Sequence, residues 1–249
     1  MWELYDGLIK EIPEDLTVVD YTAGPIWSAA STGESMGAAM PLGEISRAPA
    51  HPASFIGEPL KTMAECVKSW NFVEASLGMA AINAWYNSVA NAKALDVIRG
   101  ETSMERDAFL IYRQQVEGKK VAVVGHFPEL ENRFAPVCRL SILERLPKDG
   151  DYPDPACEYI LPEQDYVFIT GATLVNKTLP RLLTLSKNAK VVLVGPSVPL
   201  APMLLDLGVY ALETFVVEDV KPCMEAVRQT TGGSLFAYGK MVSLYSYKK

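Results

Sequence analysis

The sequence predicts a mixed α/β protein in two parts, an α+β region followed by an α/β region. Two observations lead to this prediction. Residues 1–100 contain short runs of small and apolar residues followed by helix-like segments, the order expected of an α+β layer arrangement. Residues 101–249 contain continuous apolar runs that alternate with helix-like segments, a pattern typical of parallel strands buried on both faces. We therefore predict two domains, with a boundary near residue 100.

The N-terminal region begins with a predicted helix and a three-stranded antiparallel meander. Apolar residues at a four-residue spacing predict a helix over residues 2–12, and Pro13 is expected to end it. Runs at 17–21, 26–31 and 35–40 are separated by glycine-containing turns and predict short strands. Their many small residues indicate strands that pack closely against another element or a ligand.

Two helices are predicted after the meander. The first covers about residues 59–67 and the second about residues 73–86. The second helix is expected to be buried, because its apolar residues recur at helical spacing. Asn83 and Asn87 lie one turn apart, so their amides are expected to point in the same direction.

The C-terminal region alternates predicted strands and helices. Continuous apolar runs predict buried parallel strands at 119–125, 165–170 and 190–195, and residues 138–143 form a weaker candidate. Helices are predicted at 179–185, 202–207 and 220–229. This alternation implies βαβ units with right-handed crossovers.

Three loops follow predicted strands and define a predicted ligand edge, because ligands of open parallel sheets bind beyond the carboxyl ends of the strands. Their glycines allow close backbone approach, and their hydroxyls supply hydrogen-bonding groups. The loops at 125–128, 170–173 and 195–197 contain no acidic side chain, so backbone N–H groups and hydroxyls could hold an anionic ligand. The candidate ligand-binding residues are Gly125, His126, Thr170, Gly171, Thr173, Asn176, Gly195, Pro196 and Ser197, together with Asn83 from the N-terminal region.

His126 and Glu144 are candidates for more specific roles. His126 is one of two histidines and could bind a metal or transfer a proton at the ligand edge; a turn histidine bonded to a backbone carbonyl is the alternative. Glu144 follows Gly125 at about the spacing of the ribose-binding acid in dinucleotide-binding folds, although a surface glutamate at a strand end is commoner. The loop after Gly125 lacks the GxGxxG pattern, which disfavours NAD in its usual mode.

Charge and composition exclude several classes of partner and location. Lysine and arginine total 23 against 30 aspartates and glutamates, a formal net charge of −7, so broad binding to nucleic acid lacks the required cations. Attachment to an anionic membrane is disfavoured for the same reason. The sequence lacks both an apolar run as long as a membrane-spanning helix and a signal-peptide pattern. Its four scattered cysteines are expected to be reduced and mostly buried in a cytoplasmic protein.

The C-terminal loops resemble those of a known family. The segments Val-Val-Gly-His-Phe-Pro (123–128), Phe-Ile-Thr-Gly-Ala-Thr-Leu-Val-Asn-Lys-Thr-Leu (168–179) and Val-Leu-Val-Gly-Pro-Ser-Val-Pro-Leu-Ala-Pro (192–202) are similar to signature loops of the "putative heavy-metal chelation" family. The resemblance implies an enolase N-terminal-like domain over 1–100, a Rossmann-like domain over 101–249, and a site between them for a metal or a metal chelate. Since histidines are few, a bound metal is expected to have oxygen ligands or to arrive in a small organic chelator.

Three functions stay open from the sequence. The leading hypothesis is a cytoplasmic binding protein or enzyme whose interdomain cleft takes a small anionic or metal-chelating molecule, with a metal ion or metal chelate as the cofactor and His126 as a candidate metal ligand. The second is an enzyme that uses a nucleoside cofactor such as S-adenosylmethionine, with Glu144 holding the ribose. The third is a self-assembling scaffold without chemistry. A homo-oligomer is compatible with all three.

Overall fold

The computed structural model describes residues 2–43, 47–51, 54–97, 107–229 and 235–246. Within them, the protein contains a three-stranded antiparallel sheet and a seven-stranded, mostly parallel sheet with helices. The predicted mixed α/β fold class is therefore confirmed. The predicted domain boundary falls among residues 98–106, outside the described residues, and stays a prediction. None of the helices in the described ranges has the length and apolar composition needed to span a bilayer.

The elements follow each other along the chain with short connections. The strands are β1 (Asp20–Ala23), β2 (Ser28–Ser31), β3 (Met36–Ala39), β4 (Lys120–Val124), β5 (Arg139–Glu144), β6 (Tyr152–Pro153), β7 (Tyr166–Thr170), β8 (Lys190–Val194), β9 (Val209–Val217) and β10 (Gly239–Tyr245). The α-helices are α1 (Glu3–Lys10), α2 (Leu60–Ala64), α3 (Phe72–Tyr86), α4 (Val89–Ala94), α5 (Ala108–Tyr112), α6 (Leu130–Phe134), α7 (Cys157–Ile160), α8 (Ala172–Val175), α9 (Leu179–Leu185), α10 (Met203–Asp206) and α11 (Val220–Arg228). Short 3-10 turns occupy Glu65–Lys68, Asp154–Ala156, Leu161–Glu163 and Leu235–Tyr238.

Helix α3 is the packing surface for the meander. It begins after Asn71, whose side chain accepts hydrogen bonds from two amides of the first turn. The helix is apolar around nearly its whole circumference and is buried along its length. Strand β3 lies so close to it that a Cβ added to Gly37 would come within 2.2 Å of the carbonyl oxygen of Ala80. The small residues of the meander therefore serve the contact with α3.

The larger sheet has the strand order β10-β9-β8-β7-β4-β5-β6. All neighbours are parallel except β9 and β10, which are antiparallel. The chain runs outward from β4 to β6 and then returns to place β7 on the other side of β4, so the order reverses between β4 and β7. In doubly wound sheets, ligands bind in the crevice outside the carboxyl ends at this reversal. The first two predicted loops follow β4 and β7.

The two faces of this sheet contact different elements. On one face, helices of the N-terminal half share a large apolar cluster with β4, β7 and β8. On the other face, α5 and α6 cover a cluster of aromatic side chains, which are Phe109, Tyr112, Phe134, Tyr166 and Phe168. The contact between the halves is therefore a continuous apolar core.

Strands β9 and β10 are the main difference from the sequence-based prediction, which places no strand over either segment. Glu213 and Thr214 interrupt the apolar pattern of β9, and β10 is the antiparallel edge strand. The short helices α6 to α8 are also unpredicted, because four or five residues are too few to show helical periodicity. The predicted helix over 59–67 is an α-helix only to Ala64 and continues as a 3-10 turn.

Candidate functional site

A cavity of about 600 Å³ lies where the meander meets the carboxyl ends of β4, β7 and β8. All three predicted loops contribute to its lining, with Phe127 and Pro128 after β4, Thr170 at the end of β7 and residues 195–197 after β8. Of the predicted site residues, the cavity thus brings together Thr170, Gly195, Pro196 and Ser197.

The lining of this cavity is mostly aromatic and aliphatic. The aromatic and thioether side chains are Trp27, Phe109, Phe127, Phe236, Met40 and Met241. The ring centroids of Phe109 and Phe127 are 5.0 Å apart, and those of Trp27 and Phe236 are 6.2 Å apart, both in edge-to-face arrangements. Such a surface suits an apolar or aromatic molecule and offers few ligands to a bare metal ion.

Asp107 and Arg133 are the charged residues of the lining. Arg133 Nη1 lies 2.5 Å from Asp107 Oδ2. The Asp107 side chain also accepts hydrogen bonds from the amides of Phe109 and Leu110 and so caps α5. The two opposite charges are therefore paired within the cavity wall.

Two asparagines of the N-terminal half hold the loop after β8. Asn83 Nδ2 donates a hydrogen bond of 3.1 Å to the Pro196 carbonyl and another of 2.8 Å to the backbone of β3. Asn87 Nδ2 donates to the Val198 carbonyl at 3.0 Å, and its Oδ1 accepts from the Leu200 amide at 2.7 Å. Both amides therefore face the same loop, and they support the cavity wall from the side of α3.

Asn83 and Trp27 each carry a buried polar atom without a hydrogen-bond partner in the described structure, namely Asn83 Oδ1 and Trp27 Nε1. Buried polar atoms are nearly always hydrogen-bonded in native proteins. Trp27 lines the cavity, and Asn83 lies directly behind Pro196. Two unsatisfied groups therefore occur at the cavity wall, where a ligand or water could complete them.

The hydroxyls of the predicted loops are bonded within the protein. Ser197 Oγ accepts a hydrogen bond of 2.9 Å from the Met40 amide. Thr170 Oγ1 accepts from the amide of Ala172 at 3.3 Å. Thr173 Oγ1 is buried and donates to the Thr170 carbonyl at 2.7 Å, away from the cavity lining. These contacts fix the shape of the loops.

The glycines of the loops also have a structural role. Gly125 and Gly195 have φ angles of 101° and 106°, a region that favours glycine. The amides of Gly125, Gly171 and Gly195 donate to carbonyls of neighbouring strands at 2.9, 3.0 and 2.8 Å. A Cβ added to Gly125 would come within 2.9 Å of Thr170, and one added to Gly171 within 2.7 Å of the Ser197 backbone. The three loops are therefore in direct contact.

His126 lies in a separate group of acidic side chains. Its Nδ1 is 2.9 Å from Asp151 Oδ2, and its Nε2 is 3.2 Å from Glu131 Oε1. Its amide donates to Glu144 Oε2 at 2.9 Å. We call His126, Glu131, Glu144 and Asp151 the acid–histidine cluster. Both ring nitrogens have carboxylate partners, and the side chain is only 10% exposed, so the ring is held in place by the acids. Its role as a metal ligand stays a prediction.

The Glu144 carboxylate is bonded to the backbone of two turns. One oxygen accepts from the amide of His126 at 2.9 Å, and the other accepts from the amide of Arg145 at 2.6 Å. A ribose would have to compete with both contacts. The structure therefore gives this side chain a role in the loop after β4, and its role as a ribose-binding acid stays a prediction.

The described residues offer little to a bare metal ion. Within them, no group of three or more histidine, cysteine, aspartate and glutamate side chains is arranged to hold one. The four cysteines are free thiols, and burial raises the pKa of Cys66, Cys157 and Cys223 to about 12. A thiol with a raised pKa is seldom the thiolate that binds metal.

The turn between α8 and α9 contains one feature that the sequence analysis did not single out. Lys177 has a φ of 66°, and its ammonium donates to the carbonyls of Val175 and Ser69. It lies 5.4 Å from the ring centroids of both Trp70 and Phe72. Burial lowers its pKa to about 8.

Asn176 holds the turn that leads into α9. Its Oδ1 accepts hydrogen bonds from the amide and the hydroxyl of Thr178, at 3.1 and 2.7 Å. Asn176 is not part of the cavity lining, so the structure does not bring this predicted site residue together with the others.

The aromatic lining is what sequence reasoning missed. Phe127 follows His126 directly, and its position in the loop after β4 is a signal in the sequence that it lies near the site. Trp27, Phe236 and Met241 come from segments remote from the predicted loops. Met241 belongs to the unpredicted strand β10, so no pattern in the sequence links it to the site.

Comparison with known proteins gives matches over nearly the whole chain. Two family models match, one over residues 5–86 and the other over residues 107–245, and both are described as "putative heavy-metal chelation". An uncharacterized protein of Methanocaldococcus jannaschii is 32% identical over 247 residues, which cover 92% of this chain and 90% of the relative.

Two solved structures are similar. A protein of unknown function from Desulfitobacterium hafniense DCB-2, which belongs to the family of the second model, is 45% identical with a TM-score of 0.91 and covers 99% of both chains. A protein of unknown function of the same family from Pyrococcus horikoshii has a TM-score of 0.77 and 23% identity over 98% of this chain and 100% of that one. At that identity, the second similarity shows a shared fold alone.

Proposed function

We propose, since the chain belongs to the family described as "putative heavy-metal chelation", that its cavity binds a small organic molecule that chelates a metal. The observation that supports this most is the joint cavity of about 600 Å³ between the meander and the loops after β4, β7 and β8. With the predicted boundary near residue 100, this cavity lies between the two predicted domains.

The lining favours an organic ligand over a bare ion. Aromatic rings and thioethers provide apolar contact area, while Asp107 and Arg133 are already paired. The metal would therefore take most of its ligands from the chelating molecule itself. Met40 and Met241 could add soft thioether contacts to a metal that enters in this form.

Native mass spectrometry of the protein purified from its own source tests this function. We expect an additional mass that is absent after denaturation and that carries the isotope pattern of a metal. Met40→Trp places a larger side chain in the lining and is expected to lose this mass.

A matched control fills a different cavity. A second cavity of about 600 Å³ is lined by α1, the end of α3, α4 and residues 200–203, and includes Ala94. Ala94→Trp is expected to keep the bound mass. Loss of the mass in Ala94→Trp together with its retention in Met40→Trp would contradict the proposed site, as would a wild-type protein that carries no bound molecule.

A further inference from the structure

We propose that the cavity binds an aromatic molecule through a carbonyl or carboxylate oxygen, which accepts hydrogen bonds from the indole N–H of Trp27 and the hydroxyl of Ser197. The inference rests on the proposed function, because it assumes that this cavity is the binding site. It adds the chemistry by which the polar end of the ligand is recognised and the two residues that recognise it.

Trp27 brings an unused hydrogen-bond donor to the cavity. The residue is 7% exposed and lines the cavity, and its Nε1 has no partner within the described ranges. The indole N–H can only donate, and a buried tryptophan usually finds an acceptor for it. An acceptor on a bound ligand would complete this group, whereas a further donor would not.

Ser197 brings a second donor from the loop after β8. It is 4% exposed, and its Oγ accepts a hydrogen bond of 2.9 Å from the Met40 amide. A hydroxyl that accepts a bond in this way still has its own proton to donate, and no residue that the structure describes takes that proton. The Thr170 hydroxyl is in the same state, because it accepts from the Ala172 amide. The hydroxyls that fix the loops therefore still offer protons to a ligand.

The meander places the two proposed donors near each other. Ser28 of β2 is paired with Ala39 of β3, so one further step in this antiparallel register places Trp27 beside Met40. The Met40 amide is the group that binds Ser197. Trp27 and Ser197 therefore lie at the same end of the meander, one from each predicted domain, and a ligand between them contacts both sides of the cavity.

The acceptors around the cavity are largely in use, which leaves donors in excess. Asp107, the acidic residue of the described lining, accepts from two amides of α5 and pairs with Arg133. The Pro196 carbonyl accepts from Asn83. Asn83 Oδ1 is an acceptor without a partner in the described structure, but Asn83 is fully buried behind the loop and outside the lining. A ligand therefore gains more from an acceptor than from a donor.

The rest of the lining determines the framework that carries the oxygen. Phe109, Phe127 and Phe236 present rings to the cavity, and aromatic rings pack well against one another in offset or edge-to-face arrangements. Phe236 packs edge-to-face against Trp27, with 6.2 Å between the ring centroids, and is 39% exposed. Because Nε1 of Trp27 is enclosed by its neighbours, Phe236 is the side chain that we expect to move when a ligand oxygen reaches it.

Nuclear magnetic resonance of the full chain tests the contact with Trp27. The protein has four tryptophans, and the indole N–H signal that is lost in Trp27→Phe identifies that of Trp27. The probes are acetophenone and α-methylstyrene, in which a CH₂ group replaces the oxygen. We expect acetophenone to move the Trp27 indole proton downfield, as a new hydrogen bond does, and α-methylstyrene to cause only the shift that its ring produces.

Titrations of two serine variants test the contact with Ser197. Ser197→Ala is expected to weaken acetophenone binding about fivefold, the contribution of one hydrogen bond, and to change α-methylstyrene binding less than about twofold. Comparing each probe between proteins cancels the different hydration of the probes. Ser186→Ala is the matched control and is expected to change neither affinity, because Ser186 is also buried but lies outside the lining. Benzoate is titrated in the same way, and a larger effect of Ser197→Ala on benzoate than on acetophenone assigns the acceptor as a carboxylate.

The outcomes separate this inference from the proposed function. No binding of either oxygen-bearing probe, or equal effects of Ser197→Ala on all three probes, would overturn the proposed acceptor. Equal shifts of the Trp27 indole proton with acetophenone and α-methylstyrene would overturn it as well. In the last two cases, loss of probe binding in Met40→Trp would still support the cavity as the site. Unchanged probe binding in Met40→Trp would contradict both proposals.

Discussion

His126 and Phe127 are neighbours in the loop after β4, yet they belong to two regions of opposite character. The His126 ring lies between the carboxylates of Asp151 and Glu131. The Phe127 ring packs 5.0 Å from that of Phe109 and lines the cavity. One region is polar, and its hydrogen bonds are made within the protein. The other is aromatic and encloses open volume.

The difference shows why residue type alone is a poor guide to a binding site. The acid–histidine cluster contains the side chains richest in chemistry, but its members use their hydrogen-bonding groups on each other and on the backbone. The cavity contains few such groups and leaves apolar surface that a ligand can cover. The residue types in the sequence draw attention to the acid–histidine cluster, whereas the open volume in the structure lies at the aromatic cavity.

The largest expected effect comes from removing the asparagine that supports the wall of the cavity. Asn87 is 2% exposed, and its amide bonds to Val198, Leu200 and Thr214. Asn87→Ala would leave the Leu200 amide and the Val198 carbonyl with fewer partners, so we expect a loss of about 3 kcal/mol in the free energy of unfolding, measured by urea denaturation.

An exposed asparagine provides the matched control for this prediction. Asn132 is exposed, and its side chain donates a hydrogen bond to the nearby Glu129 at the surface. Asn132→Ala is expected to cost less than about 0.5 kcal/mol. A cost for Asn87→Ala as small as that of the control would show that the cavity wall does not depend on α3.

Much of this support could be predicted from local pattern. The one-turn spacing of Asn83 and Asn87 predicts that both amides face the same way, and they do face one loop. The buried parallel strands were also predictable, because a strand covered on both faces is continuously apolar. The partner of each amide depends on the packing of two halves that lie about a hundred residues apart in sequence, which no local pattern encodes.

The cavity lining could not be predicted for a related reason. Trp27 precedes β2, and Phe236 precedes β10, so their meeting depends on how the meander docks on an edge of the larger sheet. Glu213 and Thr214 interrupt the apolar run of β9, so the sequence pattern did not indicate a strand there.

Lys177 tests how this protein treats a cation beside aromatic rings. Burial lowers its pKa from the usual 10.5 of a lysine to about 8. The unfolded chain then binds more protons than the folded chain between those pH values, so the stability contributed by this residue rises with pH from about 8 to 10.5. We therefore expect the unfolding free energy of wild type, minus that of Lys177→Met, to increase by at most about 2 kcal/mol over that interval.

A stability difference that does not change with pH would show that the aromatic rings compensate for burial of Lys177. The faces of Trp70 and Phe72 favour the charged amine and oppose the effect of burial. If urea denaturation at several pH values gives a difference between wild type and Lys177→Met that does not change, the rings fully offset burial, and the expected rise is wrong.

The smallest expected effect concerns the two neighbours themselves. His126→Gln removes contacts to Asp151 and Glu131 and is expected to cost about 1–2 kcal/mol of unfolding free energy. Phe127→Leu removes a ring contact and is expected to cost about 1 kcal/mol. If the regions are independent, the double variant shows a coupling energy below about 0.5 kcal/mol, and only Phe127→Leu reduces the bound mass that native mass spectrometry measures. A reduced bound mass in His126→Gln would instead support the ligand-binding role that the sequence predicts for His126. A larger coupling energy would mean that the acids position the aromatic wall. Either result would mean that His126 and Phe127 lie in different surroundings but act together in ligand binding.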